Sequence, residues 1–384
     1  MGRPNQATLD ERKIVGVNAE TVTNVSSTDF PGQYYHEDHS WNLDQFRRFF
    51  HVDFHKNDPY DAVFSMVGLD ASVANAFRRI LLAEIPTLAL ENIYITQNSS
   101  IIQDEVLSQR LGLIPLTTSN SAAIRNLKFL KRRQRETDQG TFSKKELEEE
   151  TDMARNDSYM QPSDHNTVVM ELDVECEYLP GGQALANRGE RDPSKLYKNS
   201  SLYAKDLVFR PTGQQAELFA GDAAIRPTNP DILVAKLRPG QKITLTAHAV
   251  KGIGADHAKF SPVATASYRL LPYIDIRQPI LGADAKKFAR CFPKGVISLV
   301  NDEATGEQKA VVSDPMKDTV SRECLRHDEF KDKVKLGRVR DHFIFSVESS
   351  GQFESAELVL DSIALLKRKC ETFKRCLDEV YREG

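Results

Sequence analysis

Apolar and polar positions along this chain recur with two periods, and each period marks out a type of element. Over residues 60–69, Val63, Phe64, Met66 and Val67 predict a strand. Asp70 follows, a side chain able to accept from the free backbone N–H groups of a first helical turn. Val73, Phe77, Ile80 and Leu81 then fall at i, i+4, i+7 and i+8, one stripe of an amphipathic helix. Pro86 closes it, because proline disfavours helical geometry in the residue before it. Residues 93–96 predict a short strand. Residues 103–111 predict a second helix, opened by Asp104 and Glu105, with Gly112 as its C′ residue.

Further on, Met170, Leu172, Val174 and Cys176 alternate with Glu171, Asp173 and Glu175. Ile243, Leu245, Ala247 and Ala249 alternate in the same way with Thr244, Thr246 and His248. Each set predicts a strand buried on one face and solvated on the other. Leu237, Arg238, Pro239 and Gly240 form a turn before the second set, and Phe343, Phe345 and Val347 share one face of a late strand. The chain closes on a long helix in which Val359, Ile363, Leu366, Cys370, Phe373, Leu377 and Val380 are spaced alternately by four and three. That mean of about 3.5 is the period of a helix–helix seam, roughly 30 Å long at ~1.5 Å per residue. Such a stripe packs against the chain's own core or against a partner helix.

Two stretches lack either period. Residues 1–40 are turn-rich and read as a poorly ordered arm. Residues 119–165 carry a basic cluster (Arg125, Lys128, Lys131, Arg132, Arg133, Arg135) before an acidic one (Glu146, Glu148, Glu149, Glu150, Asp152) and read as a charged, largely disordered loop.

Length and composition narrow the function. A chain of 384 residues suggests two or three domains, and 40% hydrophobic residues are enough for a sizeable core. The net charge of −4 argues against a free-standing nucleic-acid binder, which needs a strong basic excess. The cysteines number five and include no C-x-x-C pair, so neither a disulfide framework nor a zinc ribbon is expected, and a reducing compartment fits. No signal peptide and no membrane span are expected.

Several short constellations invite a chemical reading. Lys251-Gly252-Ile253-Gly254 lacks the third glycine of a dinucleotide loop, His257 standing in its place, so a tight turn is favoured. His36, Glu37, Asp38 and His39 are metal-ligand types, but a zinc site needs three or four fixed ligands, and a solvated turn is favoured. Asp256 and His257 adjoin Ser261 without a nucleophile elbow, so a structural turn is favoured there too. The basic cluster reads as a solvated face ahead of an import signal or a nucleic-acid patch. Arg78 and Arg79 read equally as solubilising residues or as forks for a partner's carboxylates.

Three blocks then resemble a known family. Asn75-Ala76-Phe77-Arg78-Arg79-Ile80-Leu81-Leu82 with Glu84-Ile85-Pro86 is similar to the hallmark helix of the RNA polymerase alpha family. Gln103-Asp104-Glu105-Val106-Leu107 through Arg110-Leu111-Gly112-Leu113-Ile114-Pro115-Leu116 resembles its archaeal and eukaryotic branch. Gly252-Ile253-Gly254 with Asp256 to Val263 and Ala266 to Pro272, then Lys335 to Arg340 and His342 to Ser349, resemble the larger alpha-like subunits of RNA polymerases I and III. So does Ser27-Thr28-Asp29-Phe30-Pro31-Gly32. The polymerase II counterpart carries a four-cysteine zinc loop, and no such cluster occurs here.

The resemblance implies an α+β fold: a discontinuous alpha-type dimerisation domain, helices on a mostly antiparallel sheet, at 41–86 and 259–384. A mainly β insert at 87–258 contains the 119–165 loop. It implies a non-catalytic nuclear and nucleolar assembly subunit, with no cofactor and no metal. Its partners would be a smaller alpha-like subunit, the second-largest and largest subunits of RNA polymerases I and III, and small common polymerase subunits, with little direct nucleic-acid contact. Val73, Phe77, Ile80, Leu81, Val359, Ile363, Leu366, Cys370, Phe373, Leu377 and Val380 would divide between the core and the dimer interface. Asn75, Arg78 and Arg79 would face the large subunits. The polymerase II counterpart, a nucleic-acid-binding module acting through 125–135 and an enzyme of unknown type are the rival readings.

Overall fold

The computed structural model describes residues 13–25, 41–130, 161–302 and 306–383. In chain order its main elements begin with β1 (Ile14–Val17), α1 (Leu43–Phe49), β2 (His51–Asp58), β3 (Asp61–Val67), α2 (Ala71–Ala83), β4 (Thr87–Asn98), α3 (Asp104–Gly112) and α4 (Ser121–Asn126). There follow β5 (Thr167–Glu175), β6 (Val208–Arg210), β7 (Lys242–Gly252) and β8 (Val263–Ile276). The last third holds α5 (Gly282–Arg290), β9 (Ile297–Asn301), β10 (Gln308–Val312), β11 (Val334–Ser349) and α6 (Ser355–Glu383). Helices combined with antiparallel sheets make the chain α+β, as expected from the sequence. The described residues form two compact units, one within 1–57, 62–78 and 267–346, the other within 58–61, 79–266 and 347–384.

The first unit is built on a sheet in the order Val22–Thr23, β1, β11, β3, β2, with β8 also paired to β11. Aromatic rings fill its core. Phe345 of β11 stacks on Phe64 of β3 with centroids 5.3 Å apart, and Tyr268 of β8 meets Phe343 edge-on at 5.3 Å. Pairs in these geometries add to the burial they bring. A second cluster of the unit packs α5 against the β9–β10 hairpin, with Phe288 within 5.0 Å of Phe292 and 5.3 Å of Phe330.

The amino-terminal stretch differs from the expected arm. Ile14–Val17 is a strand, antiparallel to β11 with Ile14 opposite Val339 and Val17 opposite Leu336, and both Ile14 and Val17 are buried. Four residues are too short to show a period, and their partner lies at the far end of the chain. Gly337 allows the pairing: a Cβ there would lie 2.7 Å from Ile14 Cγ2 and 2.8 Å from the Val15 carbonyl oxygen.

The second unit holds an antiparallel sheet in the order β6, β5, β7, β4. The alternation read in the sequence is present: Met170 and Leu172 of β5 and Ile243, Leu245, Ala247 and Ala249 of β7 are buried, and Asp173 and Glu175 are exposed. The short strand expected at 93–96 is the outer part of the twelve-residue β4. Gly112 ends α3 as a helical residue rather than standing beyond it. Its lack of a side chain serves a close approach, since a Cβ would lie 3.3 Å from the Leu90 carbonyl oxygen.

The charged loop is also more ordered at its start than expected. Asn120 caps α4 by accepting from the Ala123 N–H at 3.2 Å, and Ala123, Ile124 and Leu127 are buried. The remaining basic residues from Lys131 and the acidic cluster lie outside the described residues, as do His36 to His39 and Ser27 to Gly32.

One polar cluster makes the first unit sensitive to pH. His55 of β2 and His342 of β11 both hydrogen-bond the buried Ser65 hydroxyl of β3, at 2.7 and 2.9 Å. Burial holds the His342 imidazole down to about 4; Asp341 and Asp53 oppose this, and His51 and His55 reinforce it. An unfolded histidine protonates near ~6.5, so below that pH the unfolded chain binds a proton that the folded chain refuses. Stability therefore falls as pH drops from ~6.5 to about 4. Denaturation midpoints measured at stepped pH should fall less steeply across that window in His342→Gln; an unchanged slope would show that His342 does not set it.

Candidate functional site

The residues singled out from the sequence lie on α2 and α6. Asp70 begins α2, accepting from the Ser72 N–H at 2.8 Å, and its hydrogen bonds to Ser72 hold its carboxyl below the usual range. Ile80 and Leu81 are buried, and Val73 and Phe77 are half-buried. The half-buried Asn75 accepts from Arg78 Nε at 3.0 Å and from Arg78 Nη2 at 2.8 Å. Two bonds to one oxygen hold the guanidinium in one orientation, so less rotamer freedom remains to be lost on binding. Arg79, next along the helix, is exposed.

The first two turns of α6 bury Ser355, Leu358, Val359 and Ser362. Polar contacts hold the helix in place. Arg125 of α4 reaches Asp361 at 2.8 Å and Glu357 at 3.2 Å, and its guanidinium lies 5.1 Å over the Phe353 ring. Burial pushes the Asp361 carboxyl up, against the pull of Arg125. Farther along, Lys369 meets Glu84 at 2.5 Å. The carbonyls at the end of α4 are taken up by Lys251, whose Nζ donates to Arg125 O at 2.6 Å and Leu127 O at 3.0 Å. Burial lowers the pKa of that amine, with Arg368 adding to the effect.

Beyond these contacts the seam is open. Ile363 is 44% exposed, Phe373 66%, Leu377 40% and Val380 68%; Cys370 is exposed and Leu366 half-buried. Of the seven seam positions only Val359 is buried. Single exposed apolar residues are ordinary on a protein surface, but a contiguous stripe marks a surface that associates. Sequence reading missed the face that the chain does cover. Ser355 and Ser362 are polar by type, and only their i, i+3, i+7 relation to Leu358 could have marked them as buried. Arg125 was read as one of a solvated basic run; its two carboxylates lie more than 200 positions away.

Two of the sequence blocks meet in a second place. Lys259 reaches Glu91 at 2.5 Å and the Leu90 carbonyl at 2.8 Å, beside a cleft of about 420 Å³ that Gln109 and His257 also line. His257 Nδ1 accepts from the Lys259 N–H at 3.1 Å, capping the turn at 258–260, and the Ser261 hydroxyl donates to the Val263 carbonyl at 3.1 Å. These bonds serve the backbone and do not form a base–nucleophile pair. The Asp256 N–H closes a turn on the Ile253 carbonyl at 3.0 Å, and a side chain at Gly254 would collide with the Leu82 carbonyl. Among the described residues no three His, Cys, Asp or Glu side chains converge as a metal site, and no helix is long and apolar enough to cross a membrane.

Residues 63–370 match the sequence model of a family described as the RNA polymerase Rpb3/Rpb11 dimerisation domain. The chain is 46% identical over 363 residues to the DNA-directed RNA polymerases I and III subunit RPAC1 of Saccharomyces cerevisiae, covering 94% of this chain and 98% of that one. It is 42% identical over 379 residues to the subunit of the same name from Homo sapiens, covering 99% of each. The DNA-directed RNA polymerase II subunit rpb3 of Dictyostelium discoideum is 30% identical over 321 residues, covering 82% of this chain and 89% of that one. The matched span takes in the amphipathic helix at 71–83 and the open seam as far as Cys370, and the chain belongs to the RNA polymerase Rpb3/Rpb11 dimerisation-domain family.

Proposed function

We propose that this chain is a non-catalytic assembly subunit common to RNA polymerases I and III, pairing with a smaller alpha-like subunit and anchoring the large subunits for synthesis of ribosomal, transfer and 5S RNA. The observation that carries the reading is the apolar seam of α6, held in place by polar contacts at Glu357, Asp361 and Lys369, with its apolar positions exposed or half-buried from Ile363 to Val380. Identity of 42–46% to subunits named for polymerases I and III, against 30% to one named for polymerase II, supports the assignment to the first two enzymes. Nuclear residence follows from that assignment, and the nucleolus is where the polymerase I share of the chain is assigned.

The dimerisation domain is assigned to 41–86 and 259–384, with 87–258 as an insert. Ile363, Leu366, Cys370, Phe373, Leu377 and Val380 are assigned to the smaller partner, and Val73 and Phe77 of α2 to the same dimerisation role. Ile80, Leu81 and Val359, being buried, support those positions from beneath. Asn75, Arg78 and Arg79 are assigned to the large subunits.

Affinity purification of the tagged chain from nuclear extract, read by mass spectrometry, should recover the large subunits of polymerases I and III. Recovery of polymerase II alone would move the chain to that enzyme, and recovery of no polymerase would end the proposal. Phe373→Asp with Leu377→Asp should abolish recovery of the smaller partner, since burying each such side chain contributes about 1.5–3 kcal/mol. Undiminished recovery would remove the seam from the interface.

Arg78→Ala with Arg79→Ala should leave the alpha-like heterodimer intact and reduce recovery of the second-largest subunit. Stranding a buried charge costs about 2–5 kcal/mol per pair, so the loss should exceed roughly tenfold. Equal recovery of that subunit with the double variant would refute the role.

A further inference from the structure

In the first unit, the end of α5, the turn after it and the face of the β9–β10 hairpin enclose an open cleft of about 890 Å³. Lys286, Arg290 and Lys294 line it, and all three are exposed. Neighbouring lysines are paired: Lys287 with Glu329 at 2.9 Å, Lys309 with Asp302 at 3.8 Å, Lys317 with Asp314 at 3.4 Å. The three cleft cations have no ion-pair partner among the described residues. The cleft also offers Leu299, 37% exposed, next to the buried Ile297. The carboxamide oxygen of Gln308, on β10, is buried there without a hydrogen-bond donor. A buried acceptor left without a donor is costly, and a bound N–H would relieve it.

We propose that this cleft docks an acidic segment of a partner protein, with an apolar side chain seated on Leu299 and Ile297 and a backbone N–H donating to Gln308. The proposal is independent of the α6 seam and of the assignment to particular polymerases. Three unpaired cations call for an anion, and the aliphatic floor calls for an apolar body attached to it. The orphaned oxygen calls for an N–H. An acidic peptide supplies all three. A nucleic-acid strand supplies the charge, but its bases bind by stacking on exposed aromatic faces, and the aromatic residue of this cleft, Phe292, is only 6% exposed.

The test is fluorescence anisotropy on the full chain. One labelled probe is a twelve-residue peptide of Glu and Asp around a central Leu. Others are its Gln/Asn analogue, a version methylated on the nitrogens around the Leu, and a twelve-nucleotide single-stranded RNA. The acidic peptide should bind saturably and the amide analogue should not. Lys286→Glu with Arg290→Glu and Lys294→Glu should weaken binding by roughly tenfold or more, at an unchanged denaturation midpoint, because the cations lie on the surface. Backbone methylation should weaken binding several-fold in the natural chain and have no further effect in Gln308→Leu. Saturable peptide binding that survives the triple charge reversal overturns the proposal, as does no saturable peptide binding at all. RNA bound as tightly as the peptide, and lost on the same reversal, makes the cleft a nucleic-acid site instead. Methylation without effect in the natural chain removes Gln308 from it.

Discussion

A helix of 29 residues presents one apolar stripe from Val359 to Val380, and among the described residues buried contacts take up only its first two turns. Water penalises the remaining stripe in proportion to its area, and nothing among the described residues covers it. Much of the second unit around α6 can be understood from that constraint. Where that face is uncovered, apolar contacts cannot fix the direction of the helix.

Polar groups do it instead. Lys251 gathers the carbonyls at the end of α4, α4 carries Arg125, and Arg125 clasps Glu357 and Asp361. Lys369 and Glu84 add a second fixed point along the helix. The Arg125 side chain is 33% exposed and Asp361 26%, so solvent weakens the attraction and such pairs contribute little to stability. Their effect is directional. Burial of Leu358, Val359 and Phe353 supplies the energy, and the ion pairs select which way the helix points.

Much of this was legible in the sequence where the signal is local and periodic. The stripe of α2, its Asp70 cap, the two half-buried strands and the heptad spacing of the last helix follow from rules of one turn or two residues. What escaped depends on distant partners. Ile14–Val17 is a strand because of residues 336–339, and α4 is ordered by packing that its charge-rich neighbourhood hid. Gly112 looked like a helix stop because glycine tolerates left-handed backbone; it is there because another strand's carbonyl passes close to it. The buried serines of α6 were invisible for the same reason, their surroundings being decided in three dimensions.

The pairing of β1 with β11 also has a consequence in time. Lys13 and Asp341 form an ion pair across 328 positions of sequence. At about 5–20 residues per second of synthesis, the amino-terminal strand waits roughly 15–65 s for its partner to be made. The uninterrupted stretch 79–266 is complete well before then and can fold while the first unit is still lacking strands β8 and β11. Through that interval the edge of the nascent sheet stays unpaired, a state that invites aggregation in a crowded cell. The early strands of the first unit, within residues 1–78, therefore spend that interval with an open edge, while the stretch 79–266, which includes the α4 that clasps α6, is already made.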